Sequence, residues 1–245
     1  MSSHERSGRG RGTEPAEPAR RQYVNFAFYK ADSAWRRLPA SEQDEGKREF
    51  AGVVEQFLPQ MIVLPYSTVG LRADTDFMLW RIGYEIESFQ EMTAQLLRTG
   101  LGKYLDTPYS LLSMTKRSIY VDRHHHEGQE GTRLHIIPGE AKYLFVYPFV
   151  KTRDWYRLSK ATRQGMMNEH IEVGHRYASV KLNTTYSFGL DDQEFVVAFE
   201  TDKPDDFLDL VMELRETEGS RYTLRDTPIF TCVRRDLRAI LDQVG

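Results

Sequence analysis

The sequence contains an internal repeat, and this feature constrains the fold more than any other. Asp74-Thr75-Asp76-Phe77 matches Asp192-Gln193-Glu194-Phe195 at an offset of 118 residues. Other matches occur at the same or nearly the same spacing: Phe89 with Phe207, Tyr104 with Tyr222, and Asp106-Thr107-Pro108 with Asp226-Thr227-Pro228. Recurrence at a long, fixed offset indicates that one structural unit occurs twice.

Hydrophobic patterning assigns the order βαββαβ to both copies. In the first copy we predict strands at 23–29, 60–69, 76–84 and 109–119, and helices at 41–57, with Ser41 as N-cap, and 88–99. In the second we predict strands at 142–150, 178–188, 194–201 and 227–233, and helices at 159–176 and 204–217, before a short helix ending at Leu241. A sheet with helices on one face must cover its other face. We therefore predict an α+β protein whose two ferredoxin-like units form a barrel-like core with helices outside.

Four segments follow from this division of the chain. Residues 1–21 contain almost nothing apolar and lack the hydrophobic stretch of a signal peptide, so we predict a disordered tail. The first unit then covers 22–120, a connecting segment covers 121–140, and the second unit covers 141–245. The run His124-His125-His126 lies in the connecting segment, and adjacent side chains of this kind cannot converge on one ion in regular structure. We expect that run to be solvated.

Composition excludes several classes of protein. A formal net charge of -3 gives no reason to expect nucleic acid or an anionic membrane as a partner. No stretch of about 18 apolar residues is present, so we predict no membrane span. Cys232 is the single cysteine of the chain and cannot form an intrachain disulfide. We therefore expect a cytoplasmic protein.

The helix predicted at 159–176 carries a histidine on what we expect to be its apolar face. Steps of three or four residues place these side chains together: Met166, Met167, His170, Gly174 and Tyr177. His175 lies about 140° away around the helix, so no small metal site surrounds His170. Two interpretations remain open. His170 is either a hydrogen-bonded core histidine or the single axial ligand of a large planar cofactor such as haem. At an offset of 118 its counterpart in the first unit is Gly52, so we expect only the second unit to hold such a ligand.

Five motifs in the second half, in this order along the chain, resemble the chlorite dismutase-like haem proteins and, among them, the coproheme decarboxylase branch. They are YPFVK at 147–151, WYRLS at 155–159, NEHIEVG at 168–174, VKLNTTYSFGLDDQEF at 180–195 and RYTLRDTP at 221–228. The resemblance implies the duplicated architecture that the repeat predicts. It also implies that His170 is the proximal iron ligand, with Met167 and Gly174 on the cofactor side of the helix.

The resemblance implies further roles. Tyr147 matches a tyrosine thought to carry the radical that starts propionate oxidation, and we expect it at the end of a buried strand. Lys151 matches a lysine thought to move a proton and hold a propionate, and Trp155 matches an aromatic residue beside the macrocycle. Glu216 and Glu218 are candidates to polarise His170, and their spacing does not decide between them.

The sequence departs from the family pattern at Leu182. Members that decompose chlorite have an arginine there, and some decarboxylases have a glutamine, so Leu182 makes chlorite chemistry unfavourable and leaves the peroxide-activating residue unidentified. His135 is a candidate substitute. Together, the resemblance implies peroxide-dependent conversion of iron coproporphyrin III (coproheme) to haem b by a homopentamer. The alternatives are a haem-binding or sensing protein without efficient turnover, and a weak haem peroxidase.

Overall fold

The computed structural model describes residues 20–120 and 135–245. The first unit contains β1 (Tyr23–Ala31), α1 (Ala40–Phe57), β2 (Ile62–Ser67), β3 (Phe77–Gly83), α2 (Ile86–Leu96) and β4 (Leu105–Met114). The second contains β5 (Tyr143–Lys151), α3 (Arg153–Arg157), α4 (Lys160–His175), β6 (Lys181–Tyr186), β7 (Phe195–Thr201), α5 (Pro204–Glu216), β8 (Thr223–Arg225), β9 (Phe230–Arg234) and α6 (Leu237–Gln243). Residues 1–19 of the tail predicted at 1–21, and the His124-His125-His126 run, lie outside the described residues. The boundaries proposed for the four segments stay a prediction.

The two units have the same strand order. The first is arranged β4-β1-β3-β2, and the second is arranged β9-β5-β7-β6, with β8 also pairing with β5. Antiparallel pairing of β2 with β9 and of β4 with β6 joins the units edge to edge. The predicted duplicated α+β fold is confirmed, and its strands form one continuous ring-like sheet.

Apolar side chains from both units fill the interior of this ring. Phe28 of β1 stacks on Phe230 of β9, with ring centroids 3.9 Å apart, and Phe26 stacks on Trp80 at 5.3 Å. On the outer face, one buried cluster lies under α1, α2 and α6, and another lies under α4 and α5. The interior cluster belongs to both units, so neither unit can form it alone.

Most predicted elements occur within a few residues of their predicted bounds, with two instructive differences. Helix α1 begins at Ala40 after Pro39, so Ser41 is not its N-cap. Strand β4 begins at Leu105, before Pro108, although proline disfavours a paired strand position. Its register against β1 shifts between Phe28 and Lys30, opposite this proline. This irregularity accommodates the missing N–H group.

A matching pair of contacts at the strand ends supports the duplication. Trp35 packs at a tilt against Tyr104 with ring centroids 5.8 Å apart, and Trp155 packs in the same way against Tyr222 at 5.7 Å. These tryptophans are 120 residues apart, as are the first residues of α1 and α4. The first residues of β3 and β7 are instead 118 apart. The counterpart of His170 is therefore Phe50, and the Gly52 expected from a constant offset is wrong.

The shared interior leads to a prediction about stability. Phe230→Ala should lower the free energy of unfolding by roughly 3–5 kcal/mol, because it leaves a cavity beneath Phe28 in a fully buried cluster. Urea unfolding followed by circular dichroism measures the change. Leu224→Ala on neighbouring β8 is the matched control, since Leu224 is 68% exposed, and its effect should stay within about 0.5 kcal/mol. Equal effects of the two substitutions would contradict a shared interior.

Candidate functional site

The face of α4 that carries His170 is half-buried, whereas the corresponding face of α1 is sealed. Five positions of α1 are buried: Gly46, Phe50, Ala51, Val54 and Phe57. Their counterparts on α4 are all only partly buried: Met166, His170, Ile171, Gly174 and Tyr177. The same fold thus covers its outer face completely in the first unit and leaves it accessible in the second.

Helix α4 is less apolar than the sequence suggested. Its two buried residues are Gln164 and Val173, and only Val173 belongs to the apolar cluster beneath the helix. Met167 is partly buried. A Cβ atom added at Gly174 would meet nothing within 4 Å, whereas its counterpart Val54 packs in the core of the first unit. Space therefore remains beside the His170 face.

The imidazole of His170 is neutral at physiological pH. Burial lowers its pKa to about 4, and the positive charge of Lys151 contributes to the shift. Among the described residues His170 has no hydrogen-bond partner, and neither Glu216 nor Glu218 bonds to it. The Glu218 backbone N–H instead donates to Glu169 at 3.1 Å. A neutral imidazole with an uncommitted lone pair is what metal ligation requires.

Lys151 ends β5 and lies close to this histidine. Its Nζ donates to the carbonyl of Gly219 at 2.7 Å and lies 4.7 Å from the ring centroid of Trp155. Burial lowers the pKa of Lys151 to about 8, while the charge of Glu194 acts in the opposite direction. The ammonium is therefore mostly charged at neutral pH, although its bonded partner is a neutral carbonyl.

Tyr147 lies on the same side of the sheet as α4. The sequence analysis placed Tyr147 at the end of a strand. Strand β5 instead continues through Pro148 to Lys151, so Tyr147 lies inside it. Its side chain is 8% exposed, and its ring stacks on Phe199 with centroids 6.0 Å apart. Burial, and secondarily the charge of Asp226, raises the pKa of the phenol above its ordinary value. Tyr147 is consequently a neutral hydrogen donor at any physiological pH.

Leu182 presents an apolar surface on this face. It pairs with Phe199 across β6 and β7 and is 45% exposed, and directly opposed residues point to the same side of a sheet. His135 contacts Tyr84, at the end of β3, with ring centroids 6.1 Å apart. A role for His135 in activating peroxide stays a prediction.

A cavity of about 430 Å³ opens next to Trp155. Its walls include Lys116, Tyr156 and Arg163, none of which was selected from the sequence. The Nε atom of Arg163 is buried without a hydrogen-bond partner among the described residues. A cavity lined by cations and aromatic rings can take a planar ligand with anionic groups. Tyr156 lies in the motif WYRLS, whereas Lys116 and Arg163 lie outside the five motifs.

The chemistry of this region suits a single axial ligand better than a chelated ion. In residues 20–120 and 135–245, no group of three or more histidine, cysteine, aspartate or glutamate side chains could hold a metal. His170, the open position at Gly174 and the unpartnered Arg163 nitrogen fit an iron porphyrin. Over the same residues, no helix has both the length and the apolar character needed to cross a membrane.

Comparison with known proteins identifies the family. The family model described as chlorite dismutase matches residues 43–235, well over half of the chain. The chain belongs to the chlorite dismutase family. It is 34% identical over 172 residues to the coproheme decarboxylase of Mycolicibacterium smegmatis, covering 68% of this chain and 70% of that protein. It is 27% identical over 209 residues to the chlorite dismutase of Ideonella dechloratans, covering 83% and 72%.

A solved structure from the family has the same fold. The chlorite dismutase of Candidatus Nitrospira defluvii, in complex with imidazole, superimposes with a TM-score of 0.81 at 27% identity. The match covers 91% of this chain and 94% of that one. The resemblance inferred from the five motifs is thus confirmed at the level of family and fold.

The environment of His170 predicts its titration. In the ligand-free protein, a histidine-detected NMR titration should show one resonance with a midpoint near pH 4, lost in His170→Gln. Lys151→Gln should raise this midpoint, because it removes a positive charge that disfavours the imidazolium. An unchanged midpoint in Lys151→Gln would show that the two side chains do not interact.

The same shift predicts a dependence of stability on pH. The folded pKa of about 4 lies below the ordinary histidine value. As the pH falls from about 6.5 to about 4, the unfolded chain binds a proton that the folded chain does not, so the free energy of unfolding decreases. His170→Gln should flatten the curve of unfolding free energy between about pH 6.5 and pH 4. Urea unfolding at several pH values tests this, and parallel curves for the two proteins would contradict it.

Proposed function

We propose that this protein catalyses the peroxide-dependent oxidative decarboxylation of coproheme to haem b. Each of two propionates becomes a vinyl group with release of carbon dioxide, and each two-electron oxidation is balanced by reduction of one hydrogen peroxide to two waters. The observation that carries the proposal is the half-buried face of α4, where a neutral His170 lies close to the partly buried ammonium of Lys151. The relationship to a coproheme decarboxylase at 34% identity supports it.

Each side chain of the site would have a separate role. When bound, the porphyrin iron supplies the oxidising chemistry with peroxide, and the protein supplies position and proton control. The His170 imidazole would hold the iron through its free lone pair, with Trp155, Met167 and Gly174 beside the macrocycle. Lys151 would hold a propionate and move a proton as a compact charge with movable donors.

Tyr147 would give up its phenolic hydrogen in the oxidation of a propionate. Its ring is held by Phe199 and its hydroxyl remains protonated because burial raises its pKa. A phenol that is merely structural has no need to face the same side of the sheet as His170 and Lys151. This placement favours the enzyme over a protein that only binds haem.

Leu182 is compatible with a second function, because its side chain provides no hydrogen-bond donor. An exposed leucine offers no hydrogen bond to peroxide or chlorite, and His135 lies against Tyr84. A haem-binding or sensing protein without efficient turnover, or a weak peroxidase, requires no such donor. The same apolar side chain argues against chlorite decomposition.

The Tyr147 hydroxyl provides the test between these functions. Tyr147→Phe retains the ring, so folding and coproheme affinity should stay near wild type, since at most about one hydrogen bond, roughly 0.5–1.5 kcal/mol, is lost. Turnover should fall to near background, because phenylalanine has no abstractable phenolic hydrogen. Mass spectrometry of the porphyrin after peroxide addition measures the product.

Controls distinguish the outcomes. Tyr143→Phe, on the same strand and the same side, should retain near wild-type turnover. Lys151→Ala should slow turnover less than Tyr147→Phe, because water can carry a proton. Haem b formation by Tyr147→Phe at the wild-type rate would refute the assigned mechanism. Absence of product from the wild-type protein, with coproheme bound, would favour the haem-binding function.

We also propose a homopentamer in a reducing cytoplasm. Ring assemblies close through head-to-tail contacts, and the partly exposed apolar residues of α5, Leu208 and Met212, leave surface for such contacts. Multi-angle light scattering at micromolar concentration should give five times the 28.5 kDa of one chain. A monomer mass would remove this part of the proposal.

A further inference from the structure

Glu194, immediately before β7, joins two parts of the candidate site. Its Oε2 atom accepts a hydrogen bond from the backbone N–H of Lys151 at 2.8 Å and another from the hydroxyl of Tyr156 at 2.5 Å. Lys151 ends β5, and Tyr156 belongs to α3. One carboxylate oxygen therefore connects the strand that carries Lys151 to the short helix that carries Trp155.

The first unit contains half of this arrangement. Asp76 is the counterpart of Glu194, and its carboxylate accepts the backbone N–H of Ala31 at 2.9 Å. Ala31 is the last residue of β1, as Lys151 is the last residue of β5. The backbone bonds correspond as well: Asp76 N–H donates to Tyr29 at 2.7 Å, and Glu194 N–H donates to Phe149 at 3.3 Å. An aspartate is thus long enough to fix the end of the strand.

The second hydrogen bond is specific to the second unit. The counterpart of Tyr156 is Arg36, which is exposed, and the other oxygen of Asp76 accepts from Lys30 instead, at 2.8 Å. Glutamate is longer than aspartate by one methylene group, and this length lets the carboxylate of Glu194 reach α3. Fixing the strand end explains an acidic residue at this position, but it does not explain the longer one.

The hydrogen bond between Glu194 and Tyr156 lies beside the cavity and beside Trp155, whose ring faces the ammonium of Lys151. Tyr156 and Trp155 both line the cavity of about 430 Å³, and the ammonium of Lys151 lies 4.7 Å from the Trp155 ring centroid. Burial and the hydrogen bond to Glu194 raise the pKa of the Tyr156 phenol above its ordinary value, so the phenol keeps its proton and donates it. The hydrogen bond between Glu194 and Tyr156 is thus a contact between α3 and the residue that also holds the end of β5.

We propose that Glu194 is a positioning residue of the site, which holds α3 against the end of β5 and thereby sets how Trp155 and Lys151 face a bound ligand. The inference rests on the proposed function for the identity of that ligand, coproheme. The positioning itself is a property of the ligand-free protein. It can therefore be measured separately.

The test uses two substitutions that break the same hydrogen bond from opposite ends. Glu194→Asp should still fix the end of β5, as Asp76 does in the first unit, but it cannot reach Tyr156. Tyr156→Phe removes the donor. Protein labelled with 5-fluorotryptophan contains three tryptophans, and Trp155→Phe assigns the resonance of Trp155. In ligand-free protein, both substitutions should shift the ¹⁹F resonance of Trp155, and the double variant should shift it no further than either one.

A matched control and a second measurement complete the design. Asp76→Ala removes the corresponding strand-end contact in the first unit and should leave the Trp155 resonance unchanged. Both site variants should melt within a few degrees of wild type. Coproheme affinity, measured from the Soret band, should weaken about three- to tenfold in each, as expected for loss of one hydrogen bond, with no further loss in the double variant.

The outcomes separate this inference from the proposed function. An unshifted Trp155 resonance in both variants would overturn the positioning role, whatever coproheme does. A fall in melting temperature without a Trp155 shift would reduce Glu194 to a strand-end contact like Asp76. If the wild-type protein neither binds nor converts coproheme, the proposed function fails, and a coupled Trp155 shift still supports the positioning role.

Discussion

Each four-stranded unit has two open strand edges and an inner apolar face, and both must be covered for the chain to fold. Pairing of β2 with β9 and of β4 with β6 covers the edges, while Phe28 and Phe230 meet inside. Arg72 adds a polar connection, since its guanidinium pairs with Asp74, donates to the Ile229 carbonyl at 3.0 Å and lies over Phe230. Because the interior requires both units, the outer faces are the part of the structure that can diverge.

The outer faces have diverged in the helix that follows the first strand of each unit. In the first unit Phe50 packs edge-on against Tyr29 and Phe77, and full burial of such a side chain contributes about 1.5–3 kcal/mol. In the second unit His170 takes this position and Gly174 takes that of Val54, so α4 gives up comparable apolar burial. The sealed first unit and the shared interior stabilise a fold whose second outer face remains accessible.

The sequence predicted the fold because the repeat and the alternation of apolar residues are local patterns. It misjudged details that depend on partners distant in the chain. Helix α1 has 18 residues and α4 has 16, so their first residues are 120 apart although β3 and β7 begin 118 apart. A constant offset of 118 therefore selected Gly52 in place of Phe50. Strand β5 can include Pro148 because β9 pairs with it only as far as Val146, which lies opposite Phe230. The proline nitrogen therefore removes no hydrogen bond to β9.

The site was only partly predictable for the same reason. His170, Lys151 and Trp155 lie in recognisable motifs. Arg163 and Lys116 lie outside these motifs and line one cavity with Tyr156 only in the folded chain. Glu194 did leave a signal, since the repeat aligned it with Asp76, but its bond to Tyr156 depends on where α3 lies.

Burial of the Lys151 ammonium is the strongest physical indication of what the site receives. The folded pKa of about 8 lies below the ordinary lysine value, so the unfolded chain binds this proton more readily, and stability rises as the pH increases from about 8 toward 10.4. At neutral pH the folded protein therefore carries a partly buried charge whose hydrogen-bond partner is the neutral Gly219 carbonyl. Ala31, which takes the place of Lys151 in the first unit, has no charge to bury. A ligand carboxylate beside Nζ would stabilise the charge of Lys151. Between about pH 4 and about pH 8, this charged ammonium lies near the neutral imidazole of His170. A ligand that combines a metal ion with carboxylate groups satisfies both side chains at once.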